Sequence, residues 1–161
     1  MAVGRGSTGF RMQGRQDEAV REEAVGADEV EATRRRDDVL VMDDGYELPL
    51  ITWEPRGEAV ATVIAVHAFG DFRLAFAEVG PELARRGYRV HAYDQRGFGD
   101  TLGHGRWHGW RRLTRDLRHA IDTLGPEGSG PAYLLGESLG GGVALVTAAR
   151  FRPRSVAGVV L

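Results

Sequence analysis

A chain of 161 residues, 42% hydrophobic and 27% charged, is long enough for one domain with one core. Its formal charge of -2 gives no electrostatic reason to expect nucleic acid or an anionic membrane as partner, and it contains no run of apolar residues long enough to span a bilayer. Cysteine and lysine are both absent and all 21 basic residues are arginine, which excludes disulfides, thiolate sites and a lysine-bearing phosphate loop.

Residues 1–37 differ from the rest. They are rich in acidic residues, arginine and glycine and poor in aromatics, a composition that buries too little apolar surface to offset chain entropy. The expectation is a disordered or weakly helical extension, with Gln16–Thr33 as its helix-prone part. A domain is expected over 38–161. Asp37–Met42 and Tyr46–Trp53 read as strands of a hairpin joined through Asp43-Asp44-Gly45, and Ala59–Val66 as a strand buried on both faces. Phe76–Arg86 has helical apolar spacing and ends at Gly87, a suitable C-terminal cap. Tyr88–Tyr93 is the next strand, 94–109 a glycine-rich irregular stretch, and Trp110–Leu124 an amphipathic helix. A loop over Gly125–Pro131 leads to strand Ala132–Gly136, helix Leu139–Phe151 and strand Val156–Leu161. A hairpin followed by β-α-β-α-β-α-β predicts an α/β fold with a mostly parallel sheet and helices on both faces. Ligands of such sheets bind beyond the carboxyl ends of the strands, where the loops 67–73, 94–109 and 137–139 emerge.

The last of these loops carries Gly136-Glu-Ser-Leu-Gly140 between an apolar strand and an apolar helix. That context suits a nucleophile elbow, in which a serine sits on a strained turn and its neighbours two residues away must be small. Ser138 is then the candidate catalytic nucleophile, with Gly136 and Gly140 supporting the turn. An acyl-transfer site also needs two backbone N–H donors for the oxyanion; Leu139, which follows the serine, and Phe69, in the loop after the first parallel strand, are the candidates. His67 has the chemistry of a base, but its place at a strand end favours the role of pinning the loop. Asp94 and Arg96 are expected to hold neighbouring loops through charge-assisted bonds. Gly97-Phe-Gly99 does not extend to a dinucleotide fingerprint, because position 102 is leucine. His104 and His108 have the spacing of a helical metal pair, but Gly105 and Gly109 oppose a helix there and no third ligand stands out, so no metal site is expected. Trp107 and Trp110 are expected near the entrance of the site.

His67-Ala-Phe-Gly-Asp71, Asp94-Gln-Arg-Gly-Phe-Gly99 and Gly136-Glu-Ser-Leu-Gly140, in this order, resemble the α/β-hydrolase superfamily, and within it the monoacylglycerol lipase and lysophospholipase-like hydrolases with a serine aminopeptidase S33-type domain. The resemblance covers about Asp38–Leu161 and corresponds to the N-terminal half of that fold. One departure is Ala68, where the family usually has glycine after the histidine. The resemblance implies an esterase or lipase-type serine hydrolase acting on carboxylic esters such as a monoacylglycerol or lysophospholipid, with no cofactor and a small-molecule ester as partner. The superfamily order is nucleophile, acid, histidine. After Ser138 the sequence contains no Asp, Glu or His, so the triad acid and histidine are expected outside this chain, which reads as a fragment. The alternative is a non-catalytic half-domain or remnant that acts through a binding partner. The sequence specifies no oligomeric state, and the cytoplasm is the expected compartment.

Overall fold

The apolar run near the middle of the sequence becomes the central strand of a six-stranded sheet, and its position decides where a site can form. The computed structural model describes residues 33–126 and 130–161, and Thr33–Leu161 form one compact unit. The expectations for residues 1–32, including most of the Gln16–Thr33 helix, lie outside the described residues, as does the centre of the loop before Pro131.

The strands are β1 (Arg34–Val41), β2 (Glu47–Glu54), β3 (Ala61–Val66), β4 (Tyr88–Tyr93), β5 (Ala132–Gly136) and β6 (Val156–Val160). They lie in the order β1-β2-β4-β3-β5-β6. The β1–β2 and β2–β4 pairings are antiparallel and the remainder parallel. Every residue of β3 is buried, as expected of a strand flanked on both sides and covered on both faces.

Among the described residues, three α-helices cover the sheet. α1 (Val79–Arg85) packs on the face that holds Ile51, Trp53, Val63, Ala65, Val90 and Ala92. α2 (Trp110–Leu124) and α3 (Leu139–Phe151) cover the opposite face, where Leu113, Leu117, Ala120 and Ile121 of α2 meet Ile64, Val66, Leu134, Val143 and Ala144. The buried Thr147 hydroxyl of α3 donates to the Thr114 carbonyl of α2 and ties the two helices together. Helices therefore lie on both faces, as the β-α alternation predicts. Among the described residues, no helix is long and apolar enough to cross a membrane.

Three boundaries differ from the sequence reading by two residues or more. β1 begins at Arg34, three residues before the expected start, because Arg34 pairs with Glu54 and Arg36 with Thr52 along an exposed edge strand. An edge strand tolerates charged side chains on both faces, so composition alone assigned these residues to the extension. The expected Phe76–Arg86 helix is split: a 3-10 turn over Arg73–Phe76 precedes α1. The expected Ala59 start of β3 moves to Ala61, since Val60 is exposed.

One core residue sets a pH limit on stability. His91 of β4 is buried and hydrogen-bonded to the Thr52 hydroxyl across the sheet (2.8 Å). Burial, helped by the Arg89 and Arg36 charges and opposed by Glu54, holds its imidazole down at about 4 from an ordinary 6.5. The unfolded chain takes up this proton as the pH falls through 6.5, while the folded chain stays neutral down to about 4. Stability is thus full above pH 6.5 and falls through that window, by about 3 kcal/mol in total for this group. Urea unfolding at pH 7 and pH 5 is expected to show a lower midpoint at pH 5, with the difference clearly reduced in His91→Gln. Equal pH dependence in the two proteins would remove His91 as its source.

Candidate active site

The sheet order reverses at β3. The chain leaves β3 towards β4 on one side, then returns to form β5 on the other. Such a switch point leaves a crevice at the carboxyl ends of the two strands. The loops after β3 and β5 meet there, and with them the candidate residues His67, Phe69, Ser138 and Leu139.

Ser138 lies between β5 and α3 with φ +48° and ψ -108°, a conformation that costs a non-glycine residue about 1–3 kcal/mol. The surroundings hold it. The Glu137 N–H donates to the Val66 carbonyl (3.0 Å), the Gly140 N–H to the Glu137 carbonyl (2.8 Å) and the Gly142 N–H to the Ser138 carbonyl (3.0 Å). The two flanking glycines are required for space. A β-carbon on Gly140 would lie 2.0 Å from the Val66 carbonyl oxygen, and one on Gly136 would lie 2.6 Å from the Gly141 backbone. Leu139 opens α3, so its N–H has no carbonyl one turn back to reach.

The loop after β3 is gripped at both ends by two adjacent residues that follow β4. At its start, the Gln95 N–H donates to His67 Nε2 (2.9 Å) and the Gln95 side-chain amide donates to the His67 carbonyl (2.8 Å). His67 Nδ1 donates in turn to the Ala68 carbonyl (2.8 Å), which fixes the tautomer. Both ring nitrogens are therefore engaged, and burial holds the imidazole below its ordinary range. This is a pin, and no ring nitrogen is left to take a proton from Ser138. At the loop's other end, the fully buried Asp94 accepts the Arg73 N–H (2.7 Å), the Arg73 guanidinium (2.5 Å) and the Asp100 N–H (2.8 Å). Gly99 lets the carboxylate approach, since a β-carbon there would lie 2.2 Å from it. Between these anchors, Ala68 has a negative φ, which a residue with a β-carbon adopts without strain.

Arg96 points elsewhere. Its buried guanidinium pairs with Asp116 of α2 (2.9 Å) and with Asp44 of the β1–β2 turn (2.9 Å), and it stacks on the Tyr46 ring at 3.9 Å. Asp44 is lowered to about 2, chiefly by its hydrogen bond to Arg96. Arg96 thus fastens the hairpin to α2, while Asp94 fastens the loop that carries Phe69. Sequence reasoning did not single out Gln95, Arg73 or Asp116. An Asp-Gln pair leaving a buried strand, with an arginine closing the preceding loop, was the available signal for the first two.

His104 Nδ1 donates to the Gly99 carbonyl (2.8 Å), and the His108 ring stands edge-on to Tyr46. Among the described residues, no group of three or more His, Cys, Asp or Glu side chains is placed to hold a metal ion. A cavity of about 580 Å³ opens beside Ser138 and is lined mainly by apolar groups, among them Phe76, Val79, Leu135, Leu145 and Leu161.

Residues 57–161 match the family described as "Serine aminopeptidase, S33". Human monoglyceride lipase is 32% identical over 130 residues, which make up 76% of this chain and 41% of that protein. The lysophosphatidylserine lipase ABHD12 of Xenopus tropicalis is 38% identical over 76 residues, covering 47% of this chain and 18% of the relative. Among solved structures, the alpha/beta hydrolase GrgF from Penicillium sp. sh18 superposes with a TM-score of 0.69 at 22% identity, over 78% of this chain and 44% of that one. The chain therefore spans about two-fifths of the length of the curated monoglyceride lipase that it matches.

Proposed function

The chain belongs to the serine aminopeptidase S33 family of α/β-hydrolases, and from that membership we propose that Ser138 is the nucleophile of a carboxylic-ester hydrolase of the esterase/lipase type. The observation that carries this reading is the strained Ser138 backbone at the sheet's switch point, next to an N–H at the start of a helix. In the proposed reaction the Ser138 oxygen adds to the ester carbonyl and its proton passes to a histidine base. The Phe69 and Leu139 N–H groups receive the negative charge on the carbonyl oxygen. The alcohol leaves with a proton returned by that base, and water then cleaves the acyl-serine to release the acid. His67 is engaged at both nitrogens, and no Asp, Glu or His follows Ser138 in the sequence. The reading accordingly assigns the base and its acid to polypeptide outside these 161 residues. Monoacylglycerols and lysophospholipids are the proposed substrates, supported by the names of the relatives.

A second reading, in which this chain alone is inert and works with a complementing partner, is favoured by the same lack of a base. A fluorophosphonate probe followed by intact-mass measurement separates the two. Slow modification is expected at one site, falling to background in Ser138→Ala. Modification that persists in Ser138→Ala would overturn the nucleophile assignment. A fully silent wild-type chain would favour the second reading.

A further inference from the structure

Four aromatic rings form a continuous series beside the serine turn. Phe98 forms the buried end, edge-on to His67 at 5.6 Å and to Phe69 at 5.4 Å. Phe69 is followed by Trp107 at 6.4 Å, and Trp107 by Trp110 at 6.3 Å. The series ends over the first turn of α3: a β-carbon on Gly142 would lie 2.9 Å from the Trp110 indole. Gly142 lines the cavity that holds Ser138, and its N–H donates to the Ser138 carbonyl. The rings therefore run from the loop bearing the Phe69 N–H to the helix that carries the serine turn.

Phe69, Trp107 and Trp110 are 71%, 48% and 46% exposed, a contiguous apolar patch rather than scattered single residues. Their backbones are held in place. The Thr114 hydroxyl donates to the Trp110 carbonyl (2.9 Å), and the Gly105 N–H donates to the Gly97 carbonyl (2.8 Å), which anchors the segment leading to Trp107. Arg106 and His104 border the patch at the Phe69 end and do not interrupt the ring contacts. Ring faces offer broad apolar area while asking for few hydrogen bonds, which suits an extended hydrocarbon chain.

We infer that Phe69, Trp107 and Trp110 form a subsite for the unbranched hydrocarbon chain of the ester that reacts at Ser138, the chain lying across the three rings. The chain's role as substrate rests on the reading of Ser138 as nucleophile, whereas its binding to the rings does not need the serine hydroxyl. The two are therefore separable by experiment. The probe is a monoacylglycerol with bromine on its acyl chain, titrated into the full chain carrying Ser138→Ala while tryptophan emission is followed. Bromine quenches on contact, and Trp53, 3% exposed in the core beneath α1, serves as the internal control. Saturable quenching is expected, with Trp107→Phe and Trp110→Phe each removing its own share. Equilibrium dialysis of a radiolabelled monoacylglycerol should show about tenfold weaker binding when Trp107 and Trp110 are both alanine. Far-UV circular dichroism checks the fold of that double variant, and the two phenylalanine variants carry the test if it does not fold. Quenching that never saturates, quenching unchanged in both phenylalanine variants, or equal dialysis affinity for a folded double alanine variant would overturn the subsite. Fluorophosphonate modification without saturable quenching would leave the nucleophile standing and remove the subsite. Saturable quenching without fluorophosphonate modification would leave the subsite and favour the reading in which this chain alone is inert.

Discussion

Alanine at position 140 is expected to cost the domain at least about 3 kcal/mol and to abolish cooperative unfolding near physiological temperature. The added β-carbon would meet three backbone atoms at the end of β3: the Val66 carbonyl oxygen at 2.0 Å, its carbon at 2.5 Å and the His67 carbonyl oxygen at 2.7 Å. None of these can retreat easily. β3 is hydrogen-bonded to β4 on one side and β5 on the other, and the Val66 carbonyl already accepts the Glu137 N–H. Relief would have to come from α3 moving outward, which opens the packing of Val143 and Ala144 against Ile64 and Val66. Gly57→Ala provides the contrast, since nothing lies within 4 Å of that position and its φ is not in the left-handed region. It should be neutral or slightly stabilising. Thermal melts followed by circular dichroism compare the two, and a Gly140→Ala midpoint within about 5 °C of wild type would show that the helix start yields more readily than this packing implies.

The second large effect is expected at Asp94. Asparagine there keeps one acceptor for the Arg73 N–H, but turns its amide hydrogens towards the Arg73 guanidinium and the Asp100 N–H, both of which donate. The loss should be about 3 kcal/mol, because a fully buried carboxylate that takes three hydrogen bonds is replaced by a group that cannot accept them all and a half-buried cation loses its inner partner. Asp100 also pairs with Arg73, at 2.9 Å, yet its side chain is largely exposed, and Asp100→Asn should cost under about 1 kcal/mol. Hydrogen exchange adds a local readout: peptides covering 67–73 should lose protection in Asp94→Asn while those of β3 retain it. Equal stability loss in the two variants would mean that the Asp94 carboxylate does not anchor the loop.

The parts legible in the sequence are those where local pattern and tertiary environment agree. β3 announces itself because burial on both faces favours a near-continuous apolar run, broken only by Thr62, and α2 because one face repeats Leu113, Leu117, Ala120 and Ile121 at helical spacing. The serine turn was legible because its backbone conformation and close packing restrict positions 136 and 140 to glycine. The start of β1 was not, since Arg34, Arg35 and Arg36 owe their strand conformation to pairing with β2 and not to their own propensities. Nor was the break between the 3-10 turn and α1 within a stretch of helical apolar spacing. Long-range polar contacts were the least accessible. Arg73 and Asp94 are 21 residues apart, Arg96 and Asp116 are 20 apart, and Arg96 and Asp44 are 52 apart. Composition makes such partners possible without choosing among 21 arginines and 23 acidic residues.

The grip of Asp94 and Gln95 on the β3 loop has a consequence for how this protein tolerates change. Inside the loop, the Ala68 carbonyl accepts both the His67 ring N–H and the Asp71 N–H (3.3 Å), so the turn is shaped by backbone atoms whatever the side chain at 68. His67 and Arg73 supply the anchors, and both point back at one rigid dipeptide. None of these hydrogen bonds uses the side chain at 68, 69 or 72. The loop is a cassette whose frame is set from its ends, so that its outward side chains can be exchanged without rebuilding the hydrogen bonds that hold it.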